Sequence, residues 1–194
     1  MDEDNVKRGW YKSRGLPHRD DLGLIQSVTY RLEDSFPQSL IASLGTLSEA
    51  ERSEPKARKL IERALDEGHG ECWLSQPMVA QLVSDSFRHL DLTGSPVYAY
   101  VVMPNHVHLL FQPSTVRPLG DLMRNSKRFT GREANKVLGR TGSFWAEDYF
   151  DRFIRDEEHF WNCVSYIHQN PVKAGLCERA EEWRWSSAYV PNFG

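Results

Sequence analysis

Two histidines stand one residue apart inside an apolar run, His106-Val107-His108 within residues 101–111. In a strand, residues i and i+2 share a face. His106, His108 and Leu110 therefore line one face. Val107, Leu109 and Phe111 line the other, an apolar face expected on the core. Paired imidazoles on one face are half of a site for a divalent metal. A second candidate set lies sixty residues on, in "HFWNCVSYIHQNPVKAG". There Phe160, Val164 and Ile167 form an apolar helical stripe with Cys163 beside it. His159, Tyr166 and Asn170 form a second stripe about a quarter turn away. Tyr166 and Asn170, at i and i+4, are neighbours. A phenol can attack phosphorus and keep the bond energy as a phosphotyrosine ester, if a cation polarises the phosphate. An amide oxygen one turn away could hold that cation together with the histidines.

Each feature has a plainer reading. The histidines could be hydrogen-bonded strand residues without metal. A histidine-triad nucleotide hydrolase would need a third histidine where Leu110 stands. A structural zinc site would need a cysteine pair or a second spaced histidine. Tyr166 could be a half-buried core residue, and Asn170-Pro171 a helix terminator.

The elements that must position these residues follow from punctuation and periodicity. Residues 24–32 are rich in β-branched and aromatic side chains and read as a strand. A charged, helix-prone stretch holds a helix from about Glu54 to Glu67, ended by Gly68. Ser75 as cap, Pro77 as first residue and Gly94 as stop bound the next helix. Its apolar positions are Met78, Val79, Leu82, Val83, Phe87 and Leu90. "PVYAYVV" and "HVHLLFQ" are strands joined by the tight "MPN" turn. A helix begins at "PLGDLM", "SFWAEDYFDRFI" is extended, and Asp156 caps a last helix that Pro171 ends. The order β-α-β-β-α-β-α predicts an α+β fold, an antiparallel sheet with helices on one face. Residues 1–21 read as an extended basic and aromatic arm. Residues 22–194 read as one domain with a helical insertion at about 34–70.

The net charge is -3, which alone argues against nucleic acid. Local density matters more, because phosphate contacts dominate affinity. Within "RNSKRFTGREANKVLGR", Arg124, Lys127, Arg128, Arg132, Lys136 and Arg140 stand against Glu133 alone. The arm carries Lys7, Arg8, Lys12 and Arg14 among Trp10 and Tyr11, a mixture suited to unpaired bases. Lys173 follows the tyrosine and could meet a phosphate or lower the phenol pKa. Phe144 and Trp145 are expected in the core. The N-terminus has no apolar signal region, and no apolar run reaches the ~20 residues of a membrane span. Cys72, Cys163 and Cys177 have no paired spacing and read as reduced thiols. A cytoplasmic protein is expected.

"MPNHVHLL", "GSFWAEDYFDRFIRDEEHF" and "SYIHQNPVKAGL", in that order, resemble the single-tyrosine HUH transposases, most closely the REP-associated branch. The resemblance runs from about Gly23 to Ala188 and is strongest over 97–177. It implies a ferredoxin-like antiparallel sheet, the HUH endonuclease fold, with the histidines on central strands. It implies Mg2+ or Mn2+ held by His106, His108 and Asn170, and cleavage of single-stranded DNA by Tyr166 to a 5'-phosphotyrosine and a free 3'-OH. Tyr149 falls outside the nucleophile motif and is expected to pack. The expected partner is single-stranded or hairpin DNA from repeats, bound through Trp10, Arg14, Arg124, Lys127, Arg128, Arg132 and Lys173. The protein would act as a monomer or homodimer. The alternatives are a non-cleaving hairpin-binding protein on the same fold and a metal-dependent nucleotide hydrolase.

Overall fold

The computed structural model describes residues 9–13, 16–47, 51 and 55–191. A four-stranded antiparallel sheet organises the chain, in the order β4-β5-β3-β6. Its strands are β3 (Gln26–Arg31), β4 (Val97–Val102), β5 (His106–Phe111) and β6 (Phe150–Phe153). The histidine strand β5 lies between β3 and β4. Both crossovers, β3 to β4 and β5 to β6, skip one strand, which is the ferredoxin-like arrangement expected.

Strand alternation sorts the two faces. Val28, Tyr30, Val107, Leu109 and Phe111 join the main core. That core is covered by α3 (Pro77–Leu92) and α4 (Leu119–Leu138) through Val79, Val83, Phe87, Leu122, Met123 and Ala134. The opposite face is covered too. Ala99, Val101, Met103 and Leu110 pack against Ile167 of α5 (Glu157–Lys173). Helices thus lie on both faces. The histidine face is therefore a second buried layer rather than a free surface, and every residue of β5 is buried.

A satellite core joins α1 (Gln38–Thr46) and α2 (Pro55–Asp66), through Phe36, Leu40, Ile61, Ala64 and Leu65, to Phe150 of β6. Phe150 pairs in register with Thr29, which in turn pairs with His108. The segment read as an insertion therefore packs on the histidine side of the sheet. Arg31 helps to anchor it, with its guanidinium 3.9 Å from the centre of the Phe36 ring.

Local punctuation departs from expectation in three places. Ser75 does not cap α3. It lies in a 3-10 turn, Trp73–Ser75, and Gln76 takes the cap position without a side-chain bond. Cys72 causes the shift: its left-handed backbone (φ 50) turns the chain and buries Leu74 before Pro77 starts the helix. Met78 is 69% exposed, because it lies ~100° around the wheel from Val79. Pro171 does not end α5. The helix runs on to Lys173 and stops in a Schellman turn, where Leu176 N–H donates to Pro171 O and Gly175 N–H to Val172 O. Gly175 has φ 71, a conformation that favours glycine. Asp156 caps α5 as expected, accepting from the His159 N–H at 2.7 Å.

The arm folds back on itself. Strands β1 (Gly9–Ser13) and β2 (Leu16–Asp20) form an antiparallel hairpin. It is held by a buried interior: His18 contacts the Asp151 carboxylate, and the Asp20 carboxylate accepts from the Leu119 N–H at 2.8 Å. Polar residues in a tail did not advertise burial, which is why an extended arm was expected. Lys7, Arg8 and Arg14 fall outside the described residues.

Candidate active site

His106 and His108 are 1% and 4% exposed, and their Nε2 atoms face each other at 3.2 Å. The outer nitrogens are held by neighbours. His106 Nδ1 lies 2.8 Å from Asn105 Oδ1. Asn105 Nδ2 donates to the His69 carbonyl at 3.1 Å, which turns its oxygen toward the imidazole. His106 must therefore donate from Nδ1 and carry its lone pair on Nε2. His108 Nδ1 lies 2.8 Å from Thr29 Oγ1, on the strand next door. With Thr29 accepting, His108 also presents a lone pair at Nε2. Burial pushes both histidines below their ordinary pKa. His108 falls to about 3, with Lys173 adding to the effect of desolvation, and His106 falls well below 6.5 with His108 adding to it. Both rings are neutral at neutral pH, the state that binds metal.

Helix α5 brings the remaining pair. Asn170 is 1% exposed, with Nδ2 3.3 Å from His108 Nε2. Its Oδ1 is buried without a hydrogen-bond partner. As placed, the Asn170 nitrogen is the atom that faces His108 Nε2; with the amide turned over, its orphaned oxygen and the two imidazole lone pairs make three acceptors in one place. A divalent cation satisfies all of them, so the donor set His106, His108 and Asn170 fits one. Among the described residues no three His, Cys, Asp or Glu gather into a metal cluster, and this set has two histidines and an amide.

Tyr166 stands edge-on to His108, with ring centroids 5.3 Å apart at 80°. Burial raises its pKa, and the carboxylates of Glu62 and Asp66 on α2 raise it further. Lys173 Nζ lies 5.6 Å from the Tyr166 ring centre and 3.8 Å from Asp66 Oδ2. The insertion thus supplies an acidic wall beside the phenol. Nothing in the sequence placed it there, because no local period encodes how α2 meets α5.

The remaining expected residues divide. His159 is not at the site: its Nδ1 accepts from the Arg155 N–H at the start of α5. Tyr149 packs, its hydroxyl 3.0 Å from that of Tyr11 and its ring 4.6 Å from that of His18. Phe144 and Trp145 are buried. Trp10 is exposed near Phe153, with the Arg19 guanidinium over both rings. Arg124, Lys127, Arg128 and Arg132 lie on α4, across the sheet from Tyr166. Lys127 is spent structurally, donating to the carbonyls of Ala146, Glu147 and Asp148.

A ferredoxin-like sheet with buried paired histidines, and a tyrosine on the helix that covers them, is the arrangement that the sequence resemblance implies. Comparison with known proteins bears on the fold and on the family resembled. Residues 78–170 match the family model Y1_Tnp, described as "Transposase IS200 like", a span that contains His106, His108, Tyr166 and Asn170. A Haemophilus influenzae protein provisionally named as a REP-associated tyrosine transposase is 28% identical over 99 residues, 46% of this chain and 56% of its own. The REP-associated tyrosine transposase of Escherichia coli K12 is 27% identical over 92 residues, 47% of this chain and 53% of its own. The chain thus spans about half the length of the curated relatives it matches. A solved REP-associated tyrosine transposase bound to a REP hairpin superposes with a TM-score of 0.55 at 17% identity, covering 91% of this chain and 82% of that one, and it shares the fold. Over residues 78–170 the chain is similar to the Y1 tyrosine transposases, and REP-associated proteins are among those it resembles.

Proposed function

We propose that this chain is a metal-dependent single-stranded DNA nuclease and strand transferase, a tyrosine transposase acting on hairpin-forming repeat DNA. The observation that carries the proposal is the placement of Tyr166 against His108, on the same helix as Asn170. Tyr166 Oη attacks the phosphorus of a scissile phosphodiester. The Oη–P bond forms, the P–O3' bond breaks, the phenol proton is lost and the departing 3' oxygen gains one. The ester keeps the bond energy, so a 3'-OH can later displace Tyr166 without a nucleotide cofactor. A Mg2+ or Mn2+ ion, held by His106, His108 and Asn170, would supply polarisation of the phosphate and charge neutralisation. Thr29 and Asn105 hold the two imidazoles in the ligating tautomer. Lys173 sits where it can meet the incoming phosphate, in exchange for Asp66.

On this reading the partner is DNA, with Trp10 available to stack on an unpaired base beside the hairpin strands. Among the described residues no helix is long and apolar enough to cross a membrane, which fits a role on DNA in the cytoplasm. A nucleotide hydrolase of the histidine-triad type is disfavoured, because Leu110 packs into the core against Ile167 where that chemistry needs a third imidazole.

The test is incubation with a single-stranded DNA hairpin and Mn2+, followed by SDS electrophoresis. A protein–DNA adduct is expected for the wild type, and none for His106→Ala, which should still bind the hairpin. Equal loss of binding would make the histidines structural or DNA-contacting and overturn the metal role.

A further inference from the structure

The α1–α2 insertion is built as a flap. Its two ends meet at a neck, where the Asp34 carboxylate accepts from the Glu71 N–H at 2.9 Å. A Cβ on Gly70, whose φ is +86, would stand 2.7 Å from the Asp34 carbonyl oxygen, so the two chains touch there. Arg31 fixes the root, donating to the carbonyls of Leu32 and Glu33 and to Ser35 Oγ. Beyond the neck the attachment is slight. Among the described residues, five buried apolar side chains make the insertion's own core, against nineteen in the main core. A segment with so few buried contacts opens at lower free energy than the whole fold. The ion pair of Asp66 with Lys173, at 3.8 Å, ties α2 to α5. Both side chains are partly exposed, so the tie is weak and exchangeable.

Helix α2 stands where a substrate must come. Glu62 and Asp66 are one turn apart on it, and both carboxylates act on the Tyr166 phenol. Attack on phosphorus needs a phosphodiester within about 3–3.5 Å of the phenol oxygen. Bringing that anion up beside two carboxylates is opposed by like charge. Closed α2 and a bound strand therefore compete for the same place. From this geometry we infer that the α1–α2 insertion is a lid on the tyrosine site, hinged at the Asp34–Gly70 neck and latched by Asp66 on Lys173. The inference rests on the reading of Tyr166 as the nucleophile and deepens it, by adding a closed state of the DNA-free protein. An arriving backbone phosphate takes Lys173 from Asp66 and repels both carboxylates, and the lid swings out about its neck. The closed state shields the phenol from strands that bind too weakly to displace α2.

The experiment labels the DNA-free protein with N-acetylimidazole, which acetylates accessible phenols, and reads each tyrosine by peptide mass spectrometry. Ile61→Ala cuts into the core of the lid without changing its charge. It should speed acetylation of Tyr166 about tenfold. Tyr30, buried in the main core, should stay unlabelled and report that the rest of the protein is folded. Acetylation of Tyr166 at the wild-type rate in Ile61→Ala would overturn the inference. If Tyr30 is labelled too, the variant has unfolded as a whole, and hydrogen exchange on the wild type decides. There the amides of α2 should exchange faster than those of α5 without DNA, and faster still with a DNA hairpin carrying a short single-stranded flank. Amides of α2 that exchange no faster than those of α5, or that slow when DNA binds, would overturn the lid. Neither readout needs cleavage. A lid that opens in a protein forming no tyrosine adduct would stand while the nuclease reading fell.

Discussion

The side-chain amide of Asn170 stands 3.3 Å from His108 Nε2 while its own oxygen is buried without a partner. The contact joins helix α5 to strand β5 across 62 residues of sequence and places the tyrosine helix over the histidines. Asn170→Leu keeps the volume and removes the oxygen. It should lower Mn2+ affinity by at least ten- to a hundredfold, with Asn170→Asp restoring it. Titration calorimetry checks this. Unchanged affinity in Asn170→Leu would remove the amide from the metal site.

The outer nitrogens of the histidines make a second prediction. Thr29→Val and Asn105→Ala each withdraw the acceptor that fixes a ring tautomer. Neither side chain belongs to the donor set, yet each substitution should cost about 10- to 100-fold in Mn2+ affinity. Asn105→Asp, which keeps an acceptor, should be milder. Calorimetry again decides, and a loss in Asn105→Asp equal to that in Asn105→Ala would argue for a packing role.

Acid should destabilise the metal-free protein through the same pair. In the folded state both histidines titrate below the unfolded value of about 6.5, chiefly because burial disfavours the charged ring. As pH falls the unfolded chain takes up these protons first. The stability is fully present above about pH 6.5 and is lost progressively toward pH 3. Urea midpoints in chelator at pH 7.5, 5.5 and 4.5 should drop accordingly. The drop should shrink when both histidines are replaced by glutamine. An identical pH dependence in that variant would contradict the assignment.

Asp66 restrains Lys173. Their 3.8 Å contact is partly exposed, so Asp66→Asn should change stability by no more than about 1 kcal/mol. DNA affinity should nevertheless rise a few-fold, because the ammonium is released and one carboxylate beside the phosphate path is gone. Filter binding at fixed salt reads this, and weaker binding would show that Asp66 orders Lys173 for its task.

Alternation and spacing made much of this legible in sequence. The period of two in β5 separated His106 and His108 from Val107 and Leu109, and the i, i+4 spacing paired Tyr166 with Asn170. What covers each face was not legible. The histidine side read as open because a strand pattern records which side chains are apolar, not that α5 covers the imidazoles and the α1–α2 segment packs on Phe150 beside them. The same spacing raised Asn170 as a ligand and the resemblance implied it; Thr29 went unnoticed because it meets His108 only through strand pairing. Asn105 had a signal, since it directly precedes the motif in "MPNHVH". Lys127 read as a DNA contact because charge on a helix shows nothing of the three carbonyls that claim it. Pro171 read as a stop because its missing N–H is a local fact, whereas the Schellman turn at Gly175 depends on the whole last turn.

The central claim is that Tyr166 is the nucleophile, and the most direct measurement is the site of covalent attachment. The Mn2+-dependent product with hairpin DNA is digested with nuclease and protease, and the nucleotide-bearing peptide is sequenced by mass spectrometry. The modification should lie on Tyr166, as a 5'-phosphotyrosine, and should be absent from Tyr166→Phe. A nucleotide on Tyr149, or an adduct of unchanged yield in Tyr166→Phe, would contradict the account.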